Sequence, residues 1–131
     1  LIVGGTGVLA HTHKKNILNL FDVSIVTRDE KKVIKPAKAI VADISKSDWF
    51  SAAGINANEY DIVIHMAYAT TDDEPYNRKV TLIQFENCGI IFSDITLKYF
   101  IYVGSMSIYG LMLSEGLLDE ILSKVPDCDY A

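Results

Sequence analysis

The feature that most constrains this chain is a regular alternation of short, β-rich apolar runs with stretches that carry apolar residues at helical intervals. Leu1-Ile2-Val3 is an apolar run cut off by Gly4-Gly5-Thr6-Gly7. Val8 to Leu20 then has helical spacing, with Leu9, Ile17, Leu18 and Leu20 as expected core contacts. Val23 to Thr27 reads as a second strand, and Arg28-Asp29-Glu30-Lys31 as its polar exit. Ala39-Ile40-Val41-Ala42 is a third strand, and Ser45-Lys46-Ser47-Asp48 has the spacing of a capping box that opens a short helix. Asp61 to Met66 is a fourth strand, whose uninterrupted Ile62-Val63-Ile64 suits burial on both faces of a parallel sheet. Residues 76–96 read as a helix weakened in its middle by Cys88-Gly89. Tyr99 to Val103 is a fifth strand. Leu111 to Val125 is a periodic helix with Leu111, Leu117, Leu118, Ile121, Leu122 and Val125 on its apolar face and Ser114 interrupting the stripe.

Strand–helix alternation at this spacing implies right-handed βαβ units. The expected fold is α/β: a Rossmann-type doubly wound parallel sheet in three α/β/α layers, incomplete in its C-terminal part. Residues 1–131 are expected to form one domain. The chain opens with Leu1 inside a strand and ends at Tyr130-Ala131, which reads as a fragment or as a chain with absent segments. In a sheet of this kind ligands sit outside the carboxyl ends of the strands. That rule brings Gly4 to Gly7, Thr27-Arg28, Asp43, Ala67 to Ala69 and Ser105 to one edge.

Bulk properties narrow the function. Half the residues are hydrophobic and 22% are charged, as in a globular domain. A net charge of −5 argues against nucleic acid, which needs a basic face. Cys88 and Cys128 are the only cysteines and read as reduced structural thiols of a cytoplasmic protein. No apolar run is long enough to span a bilayer. His11 and His13, two apart on a helix, point in different directions and cannot readily share a metal, so no metal is expected.

Gly4-Gly5-Thr6-Gly7-Val8-Leu9-Ala10 follows a strand and opens a helix. Gly4 permits a tight turn, Gly7 lets the backbone approach a diphosphate, and Ala10 is small enough for close helix–strand packing. The backbone around Thr6, Gly7, Val8 and Leu9 then meets the anion at the helix N-terminus. The competing reading is a merely structural turn. The Gly-x-x-Gly-x-x-Gly spacing with Gly-Thr-Gly in its middle resembles the cofactor loop of short-chain dehydrogenases, with Ala10 in place of the usual last Gly.

At the end of the second strand, dinucleotide sites for NAD usually carry an acid that binds the ribose hydroxyls. Here Thr27 stands there, followed by Arg28, which can pair with a 2′-phosphate in a fork geometry. The expected cofactor is therefore NADP in preference to NAD. A solvated charge at Arg28 and an NAD role for Asp29 are the alternatives. Asp43-Ile44 resembles the family's pair at the adenine edge, against the reading of Asp43 as a helix cap. Asp61 to Ala69 resembles the family's Asp-x-Val-Ile-His-Leu-Ala-Ala segment, in which small Ala67 and Ala69 let the cofactor lie against the backbone. Tyr68 is assigned to the same edge. His65 is expected to be a buried, satisfied structural residue rather than a base. Asn77 with Thr81 is loosely similar to the family's Asn-x-x-Gly-Thr helix start, with Val80 for Gly; a surface helix is the expectation.

Phe100 to Gly110 resembles the Phe-x-Tyr-x-Ser-Ser-x-x-x-Tyr-Gly signature of the extended short-chain dehydrogenase/reductase family of nucleotide-sugar epimerases and dehydratases, with Gly104 for the first Ser. The resemblance implies that Ser105 hydrogen-bonds the reacting oxygen, and that Ser107 and Tyr109 line the substrate pocket. The family's acid/base pair, Tyr-x-x-x-Lys, occurs nowhere in the 131 residues. Either a loop and that pair are missing between Gly110 and Leu111, or Tyr130 opens a pair that is cut off. The implied activity is hydride transfer to or from a nucleotide sugar or similar carbonyl or alcohol. A non-catalytic NADP-binding regulatory or redox-sensing module on the same fold is the alternative, and a degenerate structural subunit is a third. The expected partners are a small-molecule substrate and a second copy in a homodimer.

Overall fold

The computed structural model describes residues 1–69, 71–93 and 97–104. It contains five strands and three α-helices in chain order: β1 (Ile2–Val3), α1 (Val8–Leu20), β2 (Ser24–Thr27), β3 (Lys38–Val41), α2 (Trp49–Ala52), β4 (Ile62–His65), α3 (Glu74–Ser93) and β5 (Tyr99–Tyr102). Short 3-10 turns occupy Glu30–Lys32 and Ala57–Glu59. The strands form one sheet in the order β3-β2-β1-β4-β5. Every pairing is parallel, with Val3 opposite Val26 on one side and His65 on the other. This is the doubly wound order expected from the strand–helix alternation. The expected helix over 111–125, the proposed break near 110–111 and Cys128 lie outside the described residues.

Alternation along the strands sends side chains to two faces. Val3, Val26, Ile40 and Val63 join Ile44, Trp49, Cys88 and Phe92 in the main core, on the face that carries α2 and α3. Trp49 and Phe50 meet edge to face at 5.4 Å, and Phe50 meets Phe92 at 5.6 Å in the same geometry. Ile2 and Ile25 point the other way, toward α1, where Ala10 is buried and Ile17 and Leu18 are half-buried. Gly5 lies between the layers: a Cβ there would stand 2.9 Å from Ile25 and 3.0 Å from Ile2.

Three local expectations are corrected. Leu20 is 75% exposed and not a core contact. Thirteen helical residues span about 20 Å, whereas a four-residue strand spans about 13 Å, so the last turn of α1 overhangs the sheet. The capping box does not form: α2 starts at Trp49 with Asp48 as its N-cap and no side-chain cap bond. Ser45 instead turns back, donating its amide and hydroxyl to Asp43 Oδ1 at 3.1 and 2.7 Å. Cys88-Gly89 does not weaken α3, which runs unbroken through both, with Cys88 fully buried against the sheet. Burial pushes that thiol up to about 12, so it stays protonated.

In β4, Val63 and His65 are fully buried while Ile62 and Ile64 are half-buried. His65 packs its ring near Phe85 of α3 at 6.0 Å and Tyr102 of β5 at 5.6 Å. The expected burial holds but the expected satisfaction does not, because neither ring nitrogen reaches a hydrogen-bond partner. Loss of hydration therefore lowers its pKa below the ordinary imidazole value, against a smaller opposing effect of backbone groups at Gln84 and His65 itself. The folded state favours the neutral ring. Its contribution is present in full above the unfolded imidazole value and is lost as pH falls below it. Urea melts between neutral pH and pH of about 5 should show stability falling with a slope of up to about 1.4 kcal/mol per pH unit from this residue, absent in His65→Phe.

Candidate functional site

The carboxyl ends of β1, β2, β3 and β4 and the loops that leave them form one edge. At its centre the order of strands reverses: β1 leads to β2 on one side and sits beside β4 on the other. Such a reversal opens a crevice between the loops that leave the two strands. The two exits nearly touch. Gly4 adopts φ +81°, and a Cβ on it would lie 2.6 Å from the Ala67 backbone. Its amide donates to the Val26 carbonyl at 3.3 Å. The requirement for glycine here is thus both conformational and steric.

From Gly4 the chain closes a turn with Gly7 N–H donating to the Gly4 carbonyl at 3.2 Å, and Gly7 becomes the N-cap of α1. No side chain caps the helix and its first turn holds no acid. The first-turn amides lack intrahelical acceptors, and no acid of the first turn offsets the positive end of the helix dipole. Gly7 differs from Gly4 in one respect. Its φ of −73° suits any residue, and a Cβ there would meet nothing nearer than the Gly4 carbonyl at 3.6 Å. Among the described residues, no neighbouring atom and no backbone angle excludes a side chain at this position. The side chains of Val8 and Leu9 lie outside the described residues.

Thr6 joins this loop to the end of β2, its hydroxyl 3.4 Å from that of Thr27. Thr27 Oγ1 also accepts from Asp29 N–H at 3.1 Å, which turns the chain and leaves Arg28 exposed. Asp29 accepts the Lys31 amide at 3.0 Å and caps the turn Glu30–Lys32. Its carboxylate is thereby engaged, while Arg28 sits close enough to Asp43 to stabilise the charge there. The Asp43 pKa is lowered chiefly by the Ser45 hydroxyl, then by the Ser45 amide and the cations Arg28 and Lys46, against desolvation. Asp43 caps no helix; it holds the turn after β3. Ile44 lies on the same loop with its side chain in the core, and its carbonyl accepts from Asn87 of α3 at 2.9 Å.

After β4, Ala67 abuts Gly4, Tyr68 is half-buried, and the Ala69 amide donates to Thr81 Oγ1 at 3.0 Å. Asn77, expected on a surface helix, is only 5% exposed. Its signal in the sequence is only the loose Asn-to-Thr spacing, because a polar residue buried against a loop breaks no hydrophobic period. Val103 N–H donates to the His65 carbonyl at 3.0 Å and so carries β5 to the same edge. Ser105, Ser107 and Tyr109 lie outside the described residues. Gly4, Thr6, Gly7, Arg28, Asp43, Ala67, Tyr68 and Ala69 are all found on the loops of this edge.

No protein-family profile matches the sequence, and no curated protein matches it. Solved structures do. A UDP-galactose 4-epimerase superposes with a TM-score of 0.77 at 19% identity, over 98% of this chain and 45% of its own. A mutated uronate dehydrogenase gives a TM-score of 0.81 at 13% identity, over 98% and 47%. The UDP-glucose 4-epimerase of Thermus thermophilus, solved in complex with NAD, gives 0.77 at 16% identity, over 98% and 45%. The chain thus shares their fold and spans less than half the length of each.

Proposed function

We propose that this chain is the dinucleotide-binding half of an NAD(P)-dependent oxidoreductase or epimerase of the extended short-chain dehydrogenase type, acting on a nucleotide sugar or similar carbonyl or alcohol. The observation that carries the reading is Gly7. Among the described residues nothing obstructs a side chain there, yet the sequence keeps glycine at the mouth of a helix without a side-chain cap, where a diphosphate needs close backbone approach. The fold shared with two epimerases and a dehydrogenase supports the reaction class.

The residues of the edge fit such a cofactor. The amides at the start of α1 are available to the diphosphate, and Thr6 braces the loop against β2. On the β2 side Arg28 is exposed while the Asp29 carboxylate is engaged by Lys31 N–H, an arrangement that favours a 2′-phosphate over a free ribose hydroxyl. NADP is therefore the proposed form, although the Thermus thermophilus enzyme was solved with NAD. Asp43 lies beyond Arg28, where the adenosine would end. Ala67 to Ala69, on the opposite side of β1, would face the nicotinamide end. When bound, the cofactor supplies hydride exchange at the nicotinamide ring; the protein supplies orientation and excludes competing reactions. Ser105 is assigned to hold the reacting oxygen, with Ser107 and Tyr109 toward the substrate.

The absence of a Tyr-x-x-x-Lys spacing from these 131 residues favours a second reading, an NADP-binding regulatory module without turnover. Both readings share the cofactor site. Under both, Gly7→Val should lower stability in urea melts by no more than about 1 kcal/mol, the loss of a favourable helix N-cap, and weaken NADPH at least about tenfold by calorimetry. Unchanged affinity would remove Gly7 from the site. In parallel titrations NADPH should bind more tightly than NADH, and Arg28→Ser should erase the difference. A clear NADH preference in the parent chain would refute the role given to Arg28.

A further inference from the structure

The loop between β4 and α3 is tied to the helix that follows it by side chains whose roles the proposed reaction does not use. Thr81 Oγ1 accepts the Ala69 amide at 3.0 Å. Four residues earlier on α3, one turn away, Asn77 binds Thr71 from both ends of its amide. Its Oδ1 accepts the Thr71 amide and hydroxyl, each at 2.9 Å, and its Nδ2 donates to the Thr71 carbonyl at 2.8 Å. Asp73 completes the set by accepting the Tyr76 amide at 3.0 Å and receiving the Asn77 amide at its carbonyl at 2.9 Å. Asn77 is buried between Tyr76 and Arg78, both exposed. A buried amide costs free energy unless its donors and acceptors are met. Here both ends are met by one residue of the loop.

We infer that Asn77 and Thr81 are positioning residues that latch loop residues 67–69 and 71–73 so that the Ala67–Ala69 backbone keeps its place beside the β1 turn, and thereby set affinity for the nicotinamide half of the cofactor. This rests on the dinucleotide reading given above. The geometry makes the effect one-sided. The latched loop leaves β4, across β1 from the β2 and β3 exits where Arg28 and Asp43 sit. A dinucleotide centred on the β1 turn reaches both sides, whereas adenosine diphosphate reaches the β1 turn and the β2 and β3 side but not the β4 side. Ala67 also contacts the position of the missing Gly4 Cβ, so a displaced loop reopens the crevice at its narrowest point. The side-chain hydrogen bonds given for Asn77 and Thr81 go to the loop.

Thr81→Val keeps the shape of the side chain and removes the acceptor for Ala69; Thr81→Ser restores it. Asn77→Ala breaks the second tie independently, so a folding defect in either variant leaves the other informative. Affinities of NADPH and of adenosine diphosphate are measured on the full chain for each. The latch predicts about tenfold weaker NADPH for Thr81→Val and Asn77→Ala, with adenosine diphosphate unchanged and Thr81→Ser near the parent. Equal weakening of both ligands, or no change in either, overturns it while leaving the dinucleotide site intact. A parent chain that binds neither ligand overturns the dinucleotide reading and the latch together.

Discussion

The structure depends on one close approach. The first turn leaves β1 directly beside the exit of β4, with the Gly4 Cα where the smallest side chain would strike the Ala67 backbone at 2.6 Å. Two parallel strands from distant parts of the chain can lie side by side with their exits this close only if one turns through left-handed backbone with no Cβ. Gly4 supplies that turn at φ +81°. It leads the chain into α1, which packs over Ile2 and Ile25, at the point where the strand order reverses. The packing of Gly5 against Ile25 is a second condition, because it sets how near the helix can lie to the sheet.

The same turn separates glycines that serve the fold from one that does not. Gly4 and Gly5 are fixed by neighbouring atoms; Gly7 is not. A helix N-terminus with no cap and no acid leaves amide donors and a partial positive charge facing the crevice. Around it the chain has used its other polar groups on itself. Asp29 caps a turn, Asp43 holds Ser45, Thr27 holds Asp29, and Asn77 and Thr81 hold the loop after β4. Among the described residues, the edge also presents the backbone at β1 and the exposed guanidinium of Arg28, a combination suited to phosphate groups.

Much of this was legible in the sequence. Short apolar runs bounded by glycine or polar residues marked all five strands, and the helical period of Val8 to Leu20 matched α1 residue for residue. Parallel order followed from the helical crossovers. The features that escaped share a physical cause: they are decided by competition among polar groups. Ser45 satisfies the capping spacing, yet Asp43, two residues upstream, captures both of its donors first. Asn77 interrupts no apolar stripe, so nothing in the pattern distinguishes a buried amide from a solvated one. His65 was readable as buried, because it lies in an apolar strand, but the lack of a partner for its ring depends on what α3 and β5 present to it. Ile44 shows that a motif residue can also serve the core, since its side chain packs there while its neighbour Asp43 holds the turn after β3.

The central claim is that a diphosphate rests on backbone amides where β1 passes into α1. Backbone amide chemical shifts of the isotopically labelled chain, followed while adenosine diphosphate is added, test it most directly. The account predicts saturable shifts concentrated at Thr6 to Ala10, with smaller ones near Arg28 and Asp43. Shifts centred elsewhere on the molecule, with that stretch unmoved at saturation, would contradict it.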